Sequence, residues 1–311
     1  MSAHSAPEST GDKASPVRIA IGIATIGRAA ILHETLGEVR RQIRPADRVI
    51  ICATQPSDVA GITVHGPQES ILMSEAGLPR QRNRILDAAA DCDFVLFIDD
   101  DFLLDPAYLA ETLAAFAADP AMVVTTGTVL ADGITGAGLS AEEGRRIIAQ
   151  AQRQDPVPSR TPAPSFAGYG CNMAVRMDVA LRHGIRVDER LPLYAWQEDV
   201  DFTRRLAAHG TVRRLPAARG VHLGTKAGRG SGRRLGYSQV ANPIYLMRKA
   251  GRVAYPGAYA ARRILGNLAA NLVRAARPEP HVDRRGRLKG NLVALGDLLR
   301  GRLAPERALE L

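Results

Sequence analysis

Residues 94–98 read Phe-Val-Leu-Phe-Ile and stop at Asp99-Asp100-Asp101. A short continuous apolar run of this kind suits a central strand covered on both faces. Three carboxylates placed directly after it repel one another unless something offsets their charge. Hard oxygen donors of this type suit Mg²⁺ or Mn²⁺. In open α/β sheets ligands bind beyond the carboxyl ends of strands, where this triplet falls. On the triplet alone, a solvated acidic turn that caps the next helix stays open.

The flanking chain predicts a parallel α/β beginning. Arg18–Ala24 (RIAIGIA) predicts a strand ending in the turn Thr25-Ile26-Gly27. Ile31, Leu32, Leu36, Val39 and Ile43 recur at helical spacing, and Arg48–Cys52 is the next strand. Ile62–His65 is expected as a third strand. Pro79–Ala90 predicts a helix with Pro in its first turn, and Asp105-Pro106 predicts the N-cap and N1 of a helix reaching about Phe116. Met122–Leu130 is a further strand. Residues 132–168 read as an insertion over one edge of the site: three glycines, a polar helix at Ala141–Arg153, then four prolines. Asp199–His209 predicts a helix closed by Gly210 at C′, and Gly224–Gly236 an aperiodic loop. Two weaker helical stretches follow Arg252.

Charge divides the chain. Residues 203–311 carry 23 Lys/Arg against 5 Asp/Glu, whereas residues 1–202 carry 18 against 27. That asymmetry suggests an acidic site early and a basic surface for an anionic partner late, with general Arg abundance as the bland alternative. In 258–276, Ile264, Leu265, Leu268, Leu272 and Val273 share a face beside Arg262, Arg263, Arg274 and Arg277. Two readings stay open: a helix lying on an anionic membrane, or one packed on the core with solvated arginines. Nucleic acid is not expected as a partner, because aromatics are only 5% and no binding motif is present. Cys52, Cys92 and Cys171 form no CxxC pair, which fits a reducing, cytoplasmic setting. The first residues lack a signal-peptide pattern, and no run reaches the ~18 apolar residues of a membrane span.

Other motif readings of the triplet fit poorly. Leu103 stands where an aspartyl-nucleophile phosphatase motif wants Thr or Val, and no GxxxxGK[ST] segment occurs. A second acidic group, Trp196-Gln197-Glu198-Asp199-Val200-Asp201, opens a helix, where the dipole favours carboxylates. A carboxylate there can serve as a base, or simply cap the helix.

Taken in order, VRIAIGIATIGR, GLPRQRNRIL, DFVLFIDDDFLLDP, GCNMAVR, WQEDVDFTRRLAAHG, VHLGTKAG and YLMRKAG resemble the inverting glycosyltransferases of family 2. The resemblance covers about residues 17–252. It implies a GT-A fold, a Rossmann-like mixed sheet flanked by helices. Residues 1–16 would then be a disordered tail and 253–311 a basic, partly helical extension.

The resemblance implies a metal-dependent transfer of a sugar from a nucleotide-sugar donor to a hydroxyl acceptor, and the basic tail suggests a saccharide or lipid-linked saccharide acceptor of surface polysaccharide or glycolipid synthesis at the inner membrane face. Asp101 and His222 would hold Mn²⁺ or Mg²⁺, with Asp99 and Asp100 near the nucleotide. Asp199 would be the general base, with Glu198 the runner-up. Thr25, Gly27, Arg28, Arg82, Asn83, Cys171, Asn172 and Lys226 would line the nucleotide-sugar site, where Trp196 either stacks on a sugar face or fills the core, and Gly168–Asn172 with Arg176 would lie beside donor sugar and acceptor. Lys226, Arg229, Arg233 and Arg234 would sit in a loop closing over the donor. Family members commonly carry an Asp after the second strand. Here Ala53 stands in that place, leaving Thr54 or Gln55 for a different base contact. A nucleotidyltransferase with a similar core, or a non-catalytic nucleotide-sugar-binding relative, is the alternative.

Overall fold

The computed structural model describes residues 16–226, 231–277 and 279–311. Residues 1–15, where the disordered tail is expected, and Arg229 lie outside the described residues. The chain runs β1 (Ile19–Ala24), α1 (Ala29–Arg40), β2 (Arg48–Ala53), β3 (Glu69–Met73), α2 (Leu78–Ala88), β4 (Phe94–Asp99), β5 (Phe102–Leu104) and α3 (Tyr108–Ala118). It continues through β6 (Met122–Asp132), α4 (Ala141–Gln154), β7 (Ala163–Pro164), β8 (Asn172–Arg176), α5 (Met177–Arg182), α6 (Glu198–Leu206) and β9 (Thr211–His222). Three helices follow: α7 (Gly232–Ala254), α8 (Gly257–Ala275) and α9 (Arg284–Leu299).

The strands form one mixed sheet in the order β3-β2-β1-β4-β8-β6-β9-β5, with β7 added to β9. Strands β1 to β4 are parallel to one another, and β8 enters antiparallel between β4 and β6. The apolar run of β4 divides by alternation. Phe94, Leu96 and Ile98 pack with Leu32 and Leu36 of α1 and Leu109 of α3. Val95 and Phe97 pack on the other face with Ile85 of α2 and Phe202 of α6. Each such buried Leu, Ile or Phe contributes ~1.5–3 kcal/mol, so helices on both faces hold the sheet.

Several expectations are corrected. The third strand is Glu69–Met73, not Ile62–His65. Buried Glu69 accepts from Arg40 Nε and Nη2 and from the His65 backbone, which seats the later segment beside β2. Helix α3 begins at Tyr108, because Asp105 closes a turn by accepting from the Ala107 N–H. Gly210 is not left-handed. A Cβ there would sit 2.3 Å from the Ala121 carbonyl oxygen, so close approach requires the glycine. The expected loop 224–236 ends early, since α7 begins at Gly232 and places Arg233 and Arg234 on a helix.

Helix α7 runs through residue 252 without interruption. It packs with α9 around Tyr237, Val240, Ala241 and Ala294. Asn271 of α8 donates to Gln239 and Asn291, and Asn291 donates to the Gly236 carbonyl. This satisfied polar network sets the rotation of α8. Ile264 faces the bundle, whereas Leu265, Leu272 and Val273 face outward. Among the described residues, no helix is long and apolar enough to cross a membrane.

Candidate functional site

Strand β4 ends at the triplet, and the chain crosses to the opposite edge of the sheet to form β5 against β9. The register sets Phe102 opposite His222. This crossing needs Gly220, where a Cβ would sit 2.4 Å from the Phe102 ring. The Leu223 N–H donates to the Asp101 carbonyl, and the Thr225 N–H to Asp101 Oδ2. The acidic turn and the end of β9 thereby become one structure.

The three aspartates diverge. Asp100 turns inward, accepting from Thr25 Oγ1 at 2.7 Å and Arg28 Nη1 at 3.0 Å. Burial, against the pull of Arg28, pushes it up to about 7. Asp99 and Asp101 turn toward His222, whose Nε2 lies 3.7 Å from Asp99 Oδ2 and 3.4 Å from Asp101 Oδ1. His222 Nδ1 meets Asp132 at 2.9 Å, and Asp132 also accepts from Tyr169. Burial lowers the His222 pKa, but Asp101, Asp132 and Asp99 together raise it to about 10. Burial opposes the fall of Asp101 to about 2, which His222, Arg28 and the Thr225 N–H produce.

The donor set fits a divalent cation. Asp99, Asp101 and His222 each offer a ligand atom within 4.8 Å of the others. Asp101 Oδ1 is buried without a hydrogen-bond partner. A metal bound there would displace the Nε2 proton of His222, and the Asp132 carboxylate at Nδ1 would orient the ligating ring.

The second acidic group also divides its work. Leu193, Ala195 and Gln197 all have positive φ, at 59°, 50° and 76°. Such backbone is costly for non-glycine residues and persists where neighbours impose it. Here Tyr255 donates to the Gln197 side chain, Asn242 to the Trp196 carbonyl, and the Leu78 N–H to the Leu193 carbonyl. The C-terminal helices therefore help present the start of α6. Glu198 is buried and paired with Arg82, which also donates to the Gly170 carbonyl at 2.6 Å. Burial pushes Glu198 up to about 8 against the attraction of Arg82. Asp201 is held by Arg205 and Lys249. Among the described residues Asp199 has no cation in ion-pair contact. It accepts the Gly170 N–H at Oδ2 and the Val200 N–H at Oδ1, both at 2.9 Å. Its pKa is raised, by burial first, against Arg82 and those two N–H groups.

Asp99, His222, Arg82, Glu198, Asp199 and Trp196 all line one cleft of about 530 Å³, a volume usual for small-molecule sites. Cys171 lines it too, and its carbonyl accepts from the Asp99 N–H. Other expected residues meet different neighbours. Asn83 holds Val187 and Glu189. Buried Asn172 accepts from Thr126. Lys226 Nζ donates to the Gly133 and Ile134 carbonyls. Arg234 reaches the Leu309 carbonyl. Arg176 pairs in register with Phe94, at the other end of β4 from Asp99.

Sequence reasoning missed Asp132, Tyr259 and Arg263, which join the site across long separations. Asp58, three residues after Gln55, also has a structural role. The Asp58 carboxylate accepts the Gly27 and Thr54 N–H groups and the Thr54 hydroxyl, tying the first two strand ends together.

The family model described as Glycosyl transferase family 2 matches residues 20–175, half of the chain. S. aureus TarS 1–349 superposes with a TM-score of 0.57 at 14% identity, covering 94% of this chain and 82% of that one. It has also been solved with UDP-GlcNAc. The mannosyltransferase PcManGT from Pyrobaculum calidifontis, solved with GDP-Man and Mn²⁺, superposes with a TM-score of 0.51 at 16% identity. That match covers 94% of this chain and 85% of that one. At these identities the likeness is one of fold. The comparison with curated proteins found no match.

Proposed function

The chain belongs to glycosyltransferase family 2 and has the GT-A fold, and from that premise we propose an inverting, metal-dependent transfer from a nucleoside-diphosphate sugar to a saccharide hydroxyl. The observation that carries this reading is the single cleft joining the Asp99, Asp101 and His222 cluster to Asp199.

Asp199 is the base. Its two backbone N–H contacts orient the carboxylate, and burial raises its affinity for a proton. The acceptor hydroxyl gives its proton to Asp199 as its oxygen bonds to the anomeric carbon. The bond from that carbon to the diphosphate oxygen breaks, and its electron pair leaves with the nucleoside diphosphate. Attack opposite the leaving group inverts the anomeric centre. Arg82 fixes Glu198 and the Gly170 carbonyl beside the base. Asp100 holds Thr25 and Arg28 at the first strand end, where the nucleotide is expected. Asp99, Asp101 and His222 would hold a divalent cation, which would supply positive charge to the departing diphosphate.

The test is release of nucleoside diphosphate from UDP-, GDP- and dTDP-sugars with Mn²⁺ or Mg²⁺, water serving as acceptor. One donor should be consumed, and EDTA or Asp101→Ala should abolish the release. Donor turnover unaffected by both treatments would contradict the metal assignment. Pyrophosphate formed from a sugar phosphate and a nucleoside triphosphate would indicate a nucleotidyltransferase instead.

The acceptor is a saccharide or lipid-linked saccharide of surface polysaccharide or glycolipid synthesis, met at an anionic membrane surface. Exposed Leu265, Leu272 and Val273 on α8, flanked by exposed Arg262 and Arg274, support this contact. The protein should sediment with phosphatidylserine vesicles at low salt, and Leu272→Asp should release it. Equal sedimentation with neutral vesicles would contradict an electrostatic contact.

A further inference from the structure

Two kinds of side chain line the cleft. Asp99 and Asp199 bring carboxylates. Phe166, Trp196, Tyr259 and Arg263 add an aromatic wall and a guanidinium. Phe166 and Tyr259 lie against each other with centroids 4.8 Å apart. The Arg263 guanidinium lies 5.3 Å from the Trp196 ring centroid. Tyr259 and Arg263 are one turn apart on α8, so both reach the same wall.

Arg263 differs from Arg28 and Arg82 in its pairing. Arg28 and Arg82 are each paired with carboxylates. Among the described residues no carboxylate pairs with Arg263, and its Nε is buried without a hydrogen-bond partner. A guanidinium held against an aromatic face, with donors to spare, matches a planar or tetrahedral oxyanion. Asp199 in the same cleft would repel an anionic acceptor, and Arg263 is the charge placed to offset that repulsion.

We propose that the cleft selects an acceptor saccharide bearing an anionic group, phosphate or carboxylate, which Arg263 receives while the aromatic wall meets the sugar ring. The inference rests on the glycosyl-transfer reading of the cleft. It assigns acceptor selection to α8, beyond the family-matched residues 20–175.

Trp196 is the only tryptophan in the sequence, so intrinsic fluorescence reports this contact directly. The full chain is titrated with glucose, galactose and mannose, with their 6-phosphates and uronic acids, and with inorganic phosphate. At least one anionic sugar should shift Trp196 emission and bind about tenfold or more tightly than its neutral parent, a difference of about 1.4 kcal/mol. Arg263→Gln should erase that preference and Arg263→Lys should restore part of it. Comparing 6-phosphates with uronic acids identifies the anion. Equal affinity for neutral and anionic sugars, a preference that survives Arg263→Gln, or inorganic phosphate binding as tightly as the sugar phosphates would overturn the proposal. If Arg263→Gln fails to fold, the wild-type comparison and the Lys variant decide. Nucleotide-sugar turnover in water is measured separately, so failure here with turnover intact sinks only this inference.

Discussion

Asp199→Asn should lower kcat by about a hundred- to ten-thousandfold, the range a positioned general base supplies. Asparagine keeps the side-chain shape and one oxygen for the Gly170 N–H, while giving up the contact with the Val200 N–H and removing the proton acceptor. Donor affinity should therefore change little. The pH profile separates this role from a structural one. The wild-type rate should climb with pH through the raised pKa of Asp199, because only the carboxylate accepts the hydroxyl proton. In Asp199→Asn that acidic limb should vanish along with most of the rate. A variant with wild-type kcat would move the base elsewhere. Glu198 is the less suitable candidate, because its carboxylate is paired with Arg82.

Arg82→Met should be the most destabilising single change near the site. Arg82 and Glu198 are both buried, at 2% and 3% exposure. Removing one partner of a buried pair costs about 3–5 kcal/mol where the other stays charged, here at pH above the folded Glu198 value, because that charge is then uncompensated. For a chain of 311 residues that lowers the midpoint of thermal unfolding by roughly 5–8 °C. The pH dependence has a definite sign. Glu198 already stands above its ordinary 4.5, at about 8, and loss of Arg82 pushes it higher. A carboxyl raised in the folded state binds its proton more tightly there. Its contribution is complete below 4.5 and is lost as pH rises through the folded value. The variant should thus be hurt least in acid and most in base. Adding Glu198→Gln should recover much of the loss. Equal destabilisation across pH would contradict the pairing.

What was legible beforehand follows from the range of each interaction. The β4 run and its acidic stop are local, so the strand and turn could be read from one segment. The α6 start was legible for the same reason, since carboxylates in a first turn follow the helix dipole. The strand at residues 69–73 was hidden because Glu69 reads as a surface residue until Arg40 is placed beside it. Gly210 looked like a helix cap, but its constraint is the Ala121 carbonyl across a strand. Asp132 stands 90 residues from His222, and no spacing rule connects them. Tyr259 and Arg263 were read only as parts of a basic amphipathic helix. The periodicity of α8 was visible, but its rotation depends on the Asn271 network with α7 and α9. Truncation at residue 253 would therefore remove Tyr255, Tyr259 and Arg263 from the site as well as the outward face of α8.

The measurement that tests the central claim most directly is the stereochemistry of transfer, followed by ¹H NMR of the freshly released sugar before it mutarotates. Attack by an oxygen deprotonated at Asp199, opposite the departing diphosphate, predicts a first product of inverted anomeric configuration. A first product that keeps the donor's configuration would contradict the account.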